Sequence, residues 1–210
     1  MFLIITIAVV FLLLLFLLNF YRDPKRTTPK GKGIVAPADG RVISIIDTSE
    51  VGTSEINNSE GKIKIKKGMF GKIKTLANDI SEKCYVISIF MSPLDVHINR
   101  APISGKVKSV KHTKGRFFKA YDLEKSLQNE KNEIIIQNAG IKVKVIQIAG
   151  FLARRIKCHV KKNQKVNKGE KIGIIALSSQ TTIIIPKTGN RKLMVNINDK
   201  VKAGETVIAA

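Results

Sequence analysis

The stretch that decides the fold is Lys171-Ile-Gly-Ile-Ile-Ala-Leu-Ser-Ser-Gln-Thr-Thr-Ile-Ile-Ile-Pro186. Two apolar, β-branched runs flank Leu177-Ser-Ser-Gln180, and they predict a buried strand on each side of it. Such strands are normally joined through Gly, Asn or Asp, whereas two small hydroxyl residues stand here. The simplest interpretation is a tight Ser-Ser turn in an ordinary β-hairpin. The alternative is a peptide bond strained between two rigid strands.

Most of the remaining chain also favours β-structure. Apolar runs predict further strands, with turn signals at Asp39-Gly40 and at Asn138-Ala-Gly140. The predicted strands are Ile34–Ile45 (interrupted by the first turn), Lys62–Lys66, Lys72–Lys74, Cys84–Met91, Ile103–Val110, Glu133–Gln137 and Ile141–Ile148. Outside the amino terminus, only residues 119–130 have the composition of a helix, and that helix is short.

Two similar segments in the tail indicate the type of β-fold. Lys165-Val-Asn-Lys-Gly-Glu-Lys-Ile172 and Lys200-Val-Lys-Ala-Gly-Glu-Thr-Val207 share a pattern in which Gly permits a tight turn between strands. The pattern resembles the hammerhead hairpins of biotinyl and lipoyl carrier domains. The modified-lysine tip of those carriers is absent, so the likeness concerns the fold alone. We therefore expect a mainly β barrel or sandwich with hammerhead-like hairpins.

The amino terminus predicts a membrane anchor. Phe2–Leu18 is apolar except for Thr6, and a helix extended to Phe20 would nearly cross a hydrocarbon core of about 30 Å. Positive charge follows this run and none precedes it, which predicts a cytoplasmic β-domain. A cleaved signal peptide is the alternative, but its basic n-region and small-residue cleavage site are missing. The expected organisation is an anchor over 1–20, a basic linker over 21–33 and a β-domain over 34–210.

The charge balance predicts a polyanionic partner. The chain has 37 Lys and Arg against 16 Asp and Glu, a net charge of +21, which favours nucleic acid or anionic lipid. The apolar anchor favours an anionic membrane surface, and no exposed aromatic motif supports nucleic-acid binding. Cys84 and Cys158 have no metal-like spacing, and we expect both to be reduced.

Three histidines are candidates for chemistry. His97 follows a buried strand and lies close to Asp95, in the kind of loop where a rigid sheet presents catalytic groups. His112 lies among basic residues and could contact a phosphate or simply be solvated. His159 lies in an alternating strand and is interpreted as structural.

An acid, a histidine and a hydroxyl can then be combined. Asp39 stands at the end of a strand in a Pro-Ala-Asp-Gly turn, where simple turn chemistry also explains it. In a triad, His97 would take the proton of Ser179 or Ser178 while Asp39 orients the imidazole. Spacing alone leaves this a hypothesis. No metal-ligand spacing or phosphate-cradling glycine loop is present in the sequence.

Six segments of the chain stand in a familiar order. They are Phe20–Arg26, Val35–Val42, Ile89–Val107, Asn129–Asn132, Ile148–Ile156 and Asp199–Val207. The longest contains Ser92-Pro-Leu-Asp-Val-His-Ile-Asn-Arg-Ala-Pro102 and is highly specific. Together they resemble the short, prokaryotic (type A) form of the phosphatidylserine decarboxylase family over nearly the whole chain. The resemblance implies a membrane-bound lyase of phospholipid biosynthesis.

The resemblance also implies a proenzyme that cuts itself. The family cleaves at a Gly-Ser bond, which corresponds to Ser178-Ser179, with Ser178 where Gly is usual. Ser179 would attack the preceding carbonyl and become a covalent pyruvoyl group, so that chains 1–178 and 179–210 remain as a heterodimer. Cleavage between Leu177 and Ser178 is a less favoured variant. The restricted φ of Ser178 could slow the cut without forbidding it.

For the decarboxylation, the resemblance implies a Schiff base between the pyruvoyl carbonyl and the serine amine of the lipid. Asp39 and His97 receive the roles of orienter and general base, and His97 is the candidate that protonates the carbanion. Longer members carry a second histidine where this chain has Arg100, so His97 could serve both steps. The tentative substrate-binding residues are Arg100, His112, Arg154 and Arg155. No metal is implied.

A different class of function competes with this assignment. The chain could be a non-catalytic membrane-tethered β-domain, an adaptor that never cleaves, and Ser178 in place of Gly is its best support. The sequence does not tell whether the lipid is phosphatidylserine or, in an archaeon, archaetidylserine. It also leaves open any oligomer beyond the two cleaved chains.

Overall fold

A computed structural model of the chain describes residues 1–49, 55–58, 61–64, 67–151, 155–176, 179–188 and 191–210. Within these ranges the helices are α1 (Phe2–Phe20), α2 (Lys67–Ala77) and α3 (Leu123–Ser126). The first strands are β1 (Ile34–Val35), β2 (Gly40–Asp47), β3 (Glu55–Asn58), β4 (Gly61–Lys64), β5 (Cys84–Met91), β6 (Ile98–Arg100), β7 (Gly105–Thr113) and β8 (Lys131–Gln137). The later strands are β9 (Lys142–Ile148), β10 (Ile156–Cys158), β11 (Lys165–Val166), β12 (Lys171–Ile175), β13 (Ser179–Pro186), β14 (Lys200–Val201) and β15 (Val207–Ala209). The predicted mainly β fold is confirmed.

One eight-stranded antiparallel sheet forms the body of the protein, in the order β11-β7-β8-β9-β13-β5-β2-β14. A three-stranded sheet of order β10-β12-β6 lies beside it, and β1 pairs with β15. β13 is a central strand of the large sheet, and all eight of its residues are buried. Its second half, residues 183–186, is a continuous apolar run, as expected of a strand that is covered on both faces, whereas its first half is polar although it is buried.

The two strands that flank Ser178-Ser179 do not form a hairpin. β12 pairs with β10 and β6, whereas β13 pairs with β9 and β5. The hairpin interpretation is therefore wrong, and the chain changes sheet between Ile175 and Ser179. A hydrophobic run gives the length of a strand but not its partner, which tertiary pairing decides.

The two faces of the large sheet carry separate cores. The larger core contains Ile183 and Ile185 of β13, and the smaller core contains Ile184 between them. Alternate residues of a strand point to opposite faces, so β13 contributes to both cores. Helices α2 and α3 cover the smaller core.

The helices differ from prediction. The segment around Lys72–Lys74 was predicted as a strand but lies in α2, whose residues Met69, Ile73 and Ala77 form a buried stripe at helical spacing. The helix predicted over 119–130 is only α3, capped by the Asp122 side chain, which accepts from Lys125 N at 3.1 Å. Over three residues, the alternation Lys72-Ile-Lys74 fits the period of a helix as well as that of a strand, which explains why α2 was predicted as a strand.

An internal repeat organises the ends of the sheets. Ala36-Pro-Ala-Asp-Gly40 (turn A) and Ala101-Pro-Ile-Ser-Gly105 (turn B) each precede a long strand, β2 or β7. The tail segments noted above lie against them: Gly204 N donates to Ala36 O at 2.9 Å, and Gly169 N donates to Ala101 O at 2.8 Å. The predicted turn at Asp39-Gly40 does not join a hairpin, since β1 pairs with β15 and β2 pairs with β5 and β14.

Helix α1 covers the segment that was predicted as a membrane anchor. It has 19 residues with a mean hydropathy of 3.0 over its most apolar window, none of which is buried, so it is long and apolar enough to cross a membrane. Only its last residue, Phe20, is buried against the β-domain.

Candidate active site

Ser179 is the first residue of β13 and lies opposite Met91 of β5. Its side chain is completely buried, and its hydroxyl lies 3.5 Å from the Met91 sulfur. A thioether is a weak acceptor, so this contact holds the hydroxyl in place without strongly engaging it. The hydroxyl is thus shielded from solvent and only weakly engaged.

His97 lies immediately before β6 and is also completely buried. Its Nδ1 is 2.9 Å from Asp95 O. A carbonyl oxygen only accepts, so this bond assigns the proton to Nδ1 and leaves a lone pair on Nε2. Nε2 is buried and has no hydrogen-bond partner among the described residues.

The environment of His97 keeps it neutral. Burial, foremost, and the charge of Arg22 lower its pKa from 6.5 to about 4, against the opposing effects of the Asp95 carbonyl and carboxylate. At neutral pH the imidazole is therefore a base with a free Nε2. This is the protonation state that proton abstraction from a hydroxyl requires.

Asp39 occupies turn A and is held by two partners. Its carboxylate oxygens accept from one Arg26 Nη at 2.9 and 2.8 Å, and its Oδ1 accepts from Ala203 N at 2.8 Å. Asp39 makes no hydrogen bond to His97, and His97 makes none to Ser179. The hydrogen-bonded triad geometry is absent from this structure, and the catalytic roles of the three residues stay predictions.

Arg100 ends β6 with a buried guanidinium. Its Nη1 donates to Gly169 O at 2.9 Å, and its Nη2 donates to Asp23 Oδ1 at 2.5 Å. Lys171 also pairs with the Asp23 carboxylate. The predicted anion-binding side chain thus already holds an anion of its own chain.

Arg155 lies beside the predicted cleavage segment. Its carbonyl accepts from Ala176 N at 3.1 Å, next to the strand pair Ile156–Ile175. The Arg155 side chain is exposed. Arg154, Leu177 and Ser178 lie outside the described residues, and so does the peptide bond of the predicted cut.

The other histidines lie away from Ser179. His112 is half-exposed on β7, with Nε2 3.6 Å from Glu130 Oε1, and its cross-strand row reaches β13 only at the third neighbouring strand, about 14 Å along the sheet. Burial, together with Lys157 and Lys171, lowers the pKa of His159. Among the described residues, no group of three or more His, Cys, Asp or Glu side chains could hold a metal ion.

Comparison with known proteins decides the family. The family model for phosphatidylserine decarboxylase matches residues 13–209. The chain is 43% identical over 198 residues to a candidate archaetidylserine decarboxylase proenzyme of Methanocaldococcus jannaschii, covering 94% of this chain and 90% of the relative. It is 38% identical over 199 residues to the phosphatidylserine decarboxylase proenzyme of Pelodictyon phaeoclathratiforme (94% and 80% covered) and 41% over 197 residues to that of Chlorobium phaeovibrioides (93% and 77%).

The chain belongs to the phosphatidylserine decarboxylase family. The predicted family and the predicted enzyme class, a decarboxylase proenzyme, are confirmed by these matches. The matched region includes the last residues of α1 as well as the β-domain.

A buried amide network that sequence reasoning missed leads to Ser179 of this decarboxylase. Asn132 Nδ2 donates to Gln147 Oε1 at 2.9 Å, and Gln147 Nε2 donates to Asn99 Oδ1 at 2.8 Å. Asn99 Nδ2 then donates to Thr181 Oγ1 at 3.0 Å. Thr181 Oγ1 lies 3.4 Å from the same Met91 sulfur that contacts the Ser179 hydroxyl.

The network ends on Thr181 and so holds the first residues of β13 in place from inside the protein. Buried amides are satisfied only in one mutual arrangement, so they specify geometry more sharply than apolar packing does. The available signal was the interruption of apolar strands by polar residues, Gln147 after Ile146 and Thr181 before Ile183.

Proposed function

We propose that this chain is a pyruvoyl-dependent decarboxylase of a serine phospholipid, phosphatidylserine or archaetidylserine, which produces the ethanolamine lipid and CO₂. The family assignment supports the reaction, and the names of the relatives supply both lipids and the proenzyme state. The apolar helix α1 and the net charge of +21 support an enzyme held at an anionic bilayer, with its β-domain on the cytoplasmic side.

The observation that carries the self-cleavage is the change of sheet between β12 and β13. Because the two strands pair with different partners, a cut after residue 178 would break no strand pair between them. Chain 179–210 would keep β13 between β9 and β5, β14 on β2 and β15 on β1. The proenzyme is therefore built to remain one folded heterodimer after cleavage.

The cleavage chemistry needs only the chain itself and one water molecule. Ser179 Oγ attacks the carbonyl carbon of residue 178, the C–N bond breaks, and the amine of Ser179 is released as an ester forms. The neutral Nε2 of His97 is the base that takes the hydroxyl proton. β-Elimination then expels the carboxylate of residue 178, and addition of water with loss of ammonia leaves a pyruvoyl group at position 179.

Burial of Ser179 favours elimination over simple hydrolysis of the ester. Its side chain is fully shielded from solvent, and early access of water would return an ordinary amino-terminal serine instead. Position 179 therefore fits a group that must form and persist in a dry site. The pyruvoyl group, once formed, supplies an electron sink for the pair left behind by CO₂.

His97 also fits the proton transfers of the decarboxylation. With a lone pair on Nε2 it can take a proton from the ammonium group of the substrate and return a proton to the carbon that lost CO₂. For substrate anions we propose Arg155 first, because its side chain is exposed beside the cleavage segment. Arg100, Arg154 and His112 remain candidates, and Arg100 would have to exchange Asp23 for the lipid.

The deciding experiment is the intact mass of the purified protein beside Ser179→Ala. We expect wild type to give chains 1–178 and 179–210, the smaller one carrying an amino-terminal carbonyl that an amine and cyanoborohydride trap. Ser179→Ala should remain one chain, and vesicles containing phosphatidylserine should yield the ethanolamine lipid with wild type alone. A single uncut chain in both samples would contradict self-processing and favour the non-catalytic adaptor.

A further inference from the structure

The segment that joins α1 to the β-domain touches the predicted site residues directly. Although predicted as a linker, residues 21–33 do not form a loose spacer at their start. Three of the contacts each join one residue of this region to one site residue: Phe20 to His97, Asp23 to Arg100, and Arg26 to Asp39.

The first contact covers the candidate base. The Phe20 and His97 ring centroids are 4.3 Å apart with planes tilted by 39°, and Phe20 is only 3% exposed. Arg22 fixes this end of α1 by donating to Leu94 O at 2.7 Å. Phe20 therefore contributes to the burial that keeps the His97 ring dry and neutral. The charged groups facing that ring are Asp95 and Arg22.

The second contact holds the side chain next to turn B. Asp23 pairs with Arg100 at 2.5 Å and with Lys171, while Pro24 O lies 3.5 Å from Arg100 Nη2. Arg100 is 8% exposed, so its charge needs a partner in a poorly solvated place. Asp23 supplies that charge and fixes the direction of the guanidinium.

The third contact holds turn A. Arg26 grips both oxygens of Asp39, and their side chains are only 7% and 13% exposed. Arg26 also reaches Glu205 at 3.4 Å, and Thr27 N donates to the same carboxylate at 2.9 Å. The hydrogen bond from Thr27, helped by the charge of Arg26, lowers the pKa of Glu205. Thr28 then packs against Gly169.

We propose that residues 20–28, the strap, are a working part of the active site, in which Phe20, Asp23 and Arg26 position His97, Arg100 and Asp39. The inference rests on the proposed function, because it assigns these three partners to catalysis or substrate binding. A plain tether would need none of these contacts. The strap makes all three within seven residues of the end of α1.

The strap also sets the depth of the site in the membrane. A 19-residue helix is about 28 Å long, close to the thickness of a hydrocarbon core, and its last residue lies on His97. The site would then stand at the level of the lipid headgroups. A serine headgroup could reach it while its acyl or alkyl chains stay in the bilayer.

The first test follows His97 without any catalysis. In full-length Ser179→Ala protein in lipid nanodiscs, NMR titration of labelled histidine should give His97 a pKa of about 4. Adding Phe20→Ala should raise it by one unit or more toward 6.5, because the ring is opened to water. Phe11→Ala, which removes an exposed anchor phenylalanine, should leave it unchanged. An unaltered His97 titration in Phe20→Ala would overturn the positioning role of Phe20.

The second test separates positioning from tethering. Self-cleavage needs no lipid, and a short-chain serine phospholipid below its micellar concentration needs no membrane. Phe20→Ala, Asp23→Asn and Arg26→Gln should each slow self-cleavage or lower kcat on this soluble substrate at least tenfold. Phe11→Ala and Lys30→Gln should match wild type, since Lys30 is exposed and forms no ion pair with a described residue. Equal rates for all five variants would show a mere tether and sink the proposal.

Separate control experiments test whether a variant still folds and whether the proposed function holds. Arg26→Lys keeps the charge and one nitrogen for Asp39 but loses the second nitrogen, which reaches Glu205, so partial rescue relative to Arg26→Gln is expected if position matters. No rescue, together with unchanged unfolding temperatures, would contradict the role of Arg26. If the wild-type protein itself never cleaves, the proposed function is wrong. The His97 titration still tests whether Phe20 of the strap shields the His97 ring.

Discussion

Turns A and B have the same construction but different surroundings. In turn B, Ser104 Oγ accepts from Lys168 N at 2.8 Å, and in turn A, Asp39 Oδ1 accepts from Ala203 N at 2.8 Å. These bonds are equivalent in the repeat, so bracing the turn requires an acceptor and no charge. Only Asp39 is charged, and only Asp39 is gripped by Arg26 of the strap. On the proposed function, this difference separates a turn that only braces the fold from a turn that also carries a site residue.

The largest effect is expected when turn A is given the residue of turn B. Asp39→Ser keeps an acceptor for Ala203 N but leaves the nearly buried Arg26 with only the more distant Glu205. Removing one partner of a buried pair costs about 3 kcal/mol or more, and displacement of the strap should slow self-cleavage at least tenfold. Urea unfolding and the rate of appearance of chain 179–210 measure the two effects. A stable variant that cleaves at the wild-type rate would erase the distinction between the turns.

The second prediction concerns a difference just before the turns. His97 stands four residues before turn B, whereas exposed Lys32 holds the equivalent place before turn A. The folded pKa of His97 is about 4 and the unfolded value 6.5, so the unfolded state binds the extra proton between these values. Stability should therefore fall as the pH drops from 6.5 to 4, by about 3 kcal/mol in total.

The control for this prediction removes the imidazole. In the Ser179→Ala background, His97→Leu should lose this part of the pH dependence, while His159, whose pKa is also lowered, acts equally in both proteins. Carboxylates such as Asp47, with a lowered pKa, lose their contribution only at still lower pH. Parallel stability curves for the two proteins between pH 4 and 6.5 would show that His97 is not held neutral.

A feature of this fold could be predicted from the sequence when the residues that form it are close together along the chain. β5, β8 and β9 were predicted nearly residue for residue, because each is a local apolar or alternating run. Ser179 and His97 were likewise proposed as site residues from local motifs, and their catalytic roles stay predictions. The prediction of a Ser-Ser hairpin was wrong because the partner of a strand depends on its register with distant segments across the sheet.

The strap could not be predicted, because its contacts span great sequence separations. Asp23 meets Arg100 77 residues away, and Arg26 meets Glu205 179 residues away. Lys, Arg and Pro residues after an apolar helix have the composition of a solvated linker, and nothing local opposes that interpretation. The repeat of turns A and B is itself present in the sequence, as Ala-Pro-x-x-Gly followed by Arg or Lys and then Val.

The third prediction compares the glycines that face the two turns. Gly169 and Gly204 both have positive φ, 84° and 76°, a region that costs an alanine roughly 1–2 kcal/mol. A Cβ on Gly169 would lie 2.1 Å from Thr28 Oγ1 of the strap, a severe overlap, whereas the nearest atoms to a Cβ on Gly204 are the flexible Arg100 Cδ at 3.0 Å and Gly169 Cα at 3.2 Å. Gly169→Ala should therefore loosen the strap and slow self-cleavage, and Gly204→Ala should mainly lower stability. Thermal unfolding and self-cleavage rates of the two variants test this prediction. Slower cleavage in Gly204→Ala than in Gly169→Ala would contradict it.

The smallest effect is expected in turn B. Ser104 is exposed, and Ser104→Ala removes one hydrogen bond, to Lys168 N, without stranding a charge. The loss should be about 1 kcal/mol, with Asn138 still bonded to the Ser104 carbonyl at 3.1 Å. Self-cleavage should keep the wild-type rate, because neither the strap nor Ser179 contacts this hydroxyl. If Ser104→Ala slowed cleavage as much as Asp39→Ser at matched stability, cleavage would depend on the hydrogen bond that braces each turn. The charge of Asp39 and its grip by Arg26 would then have no role of their own.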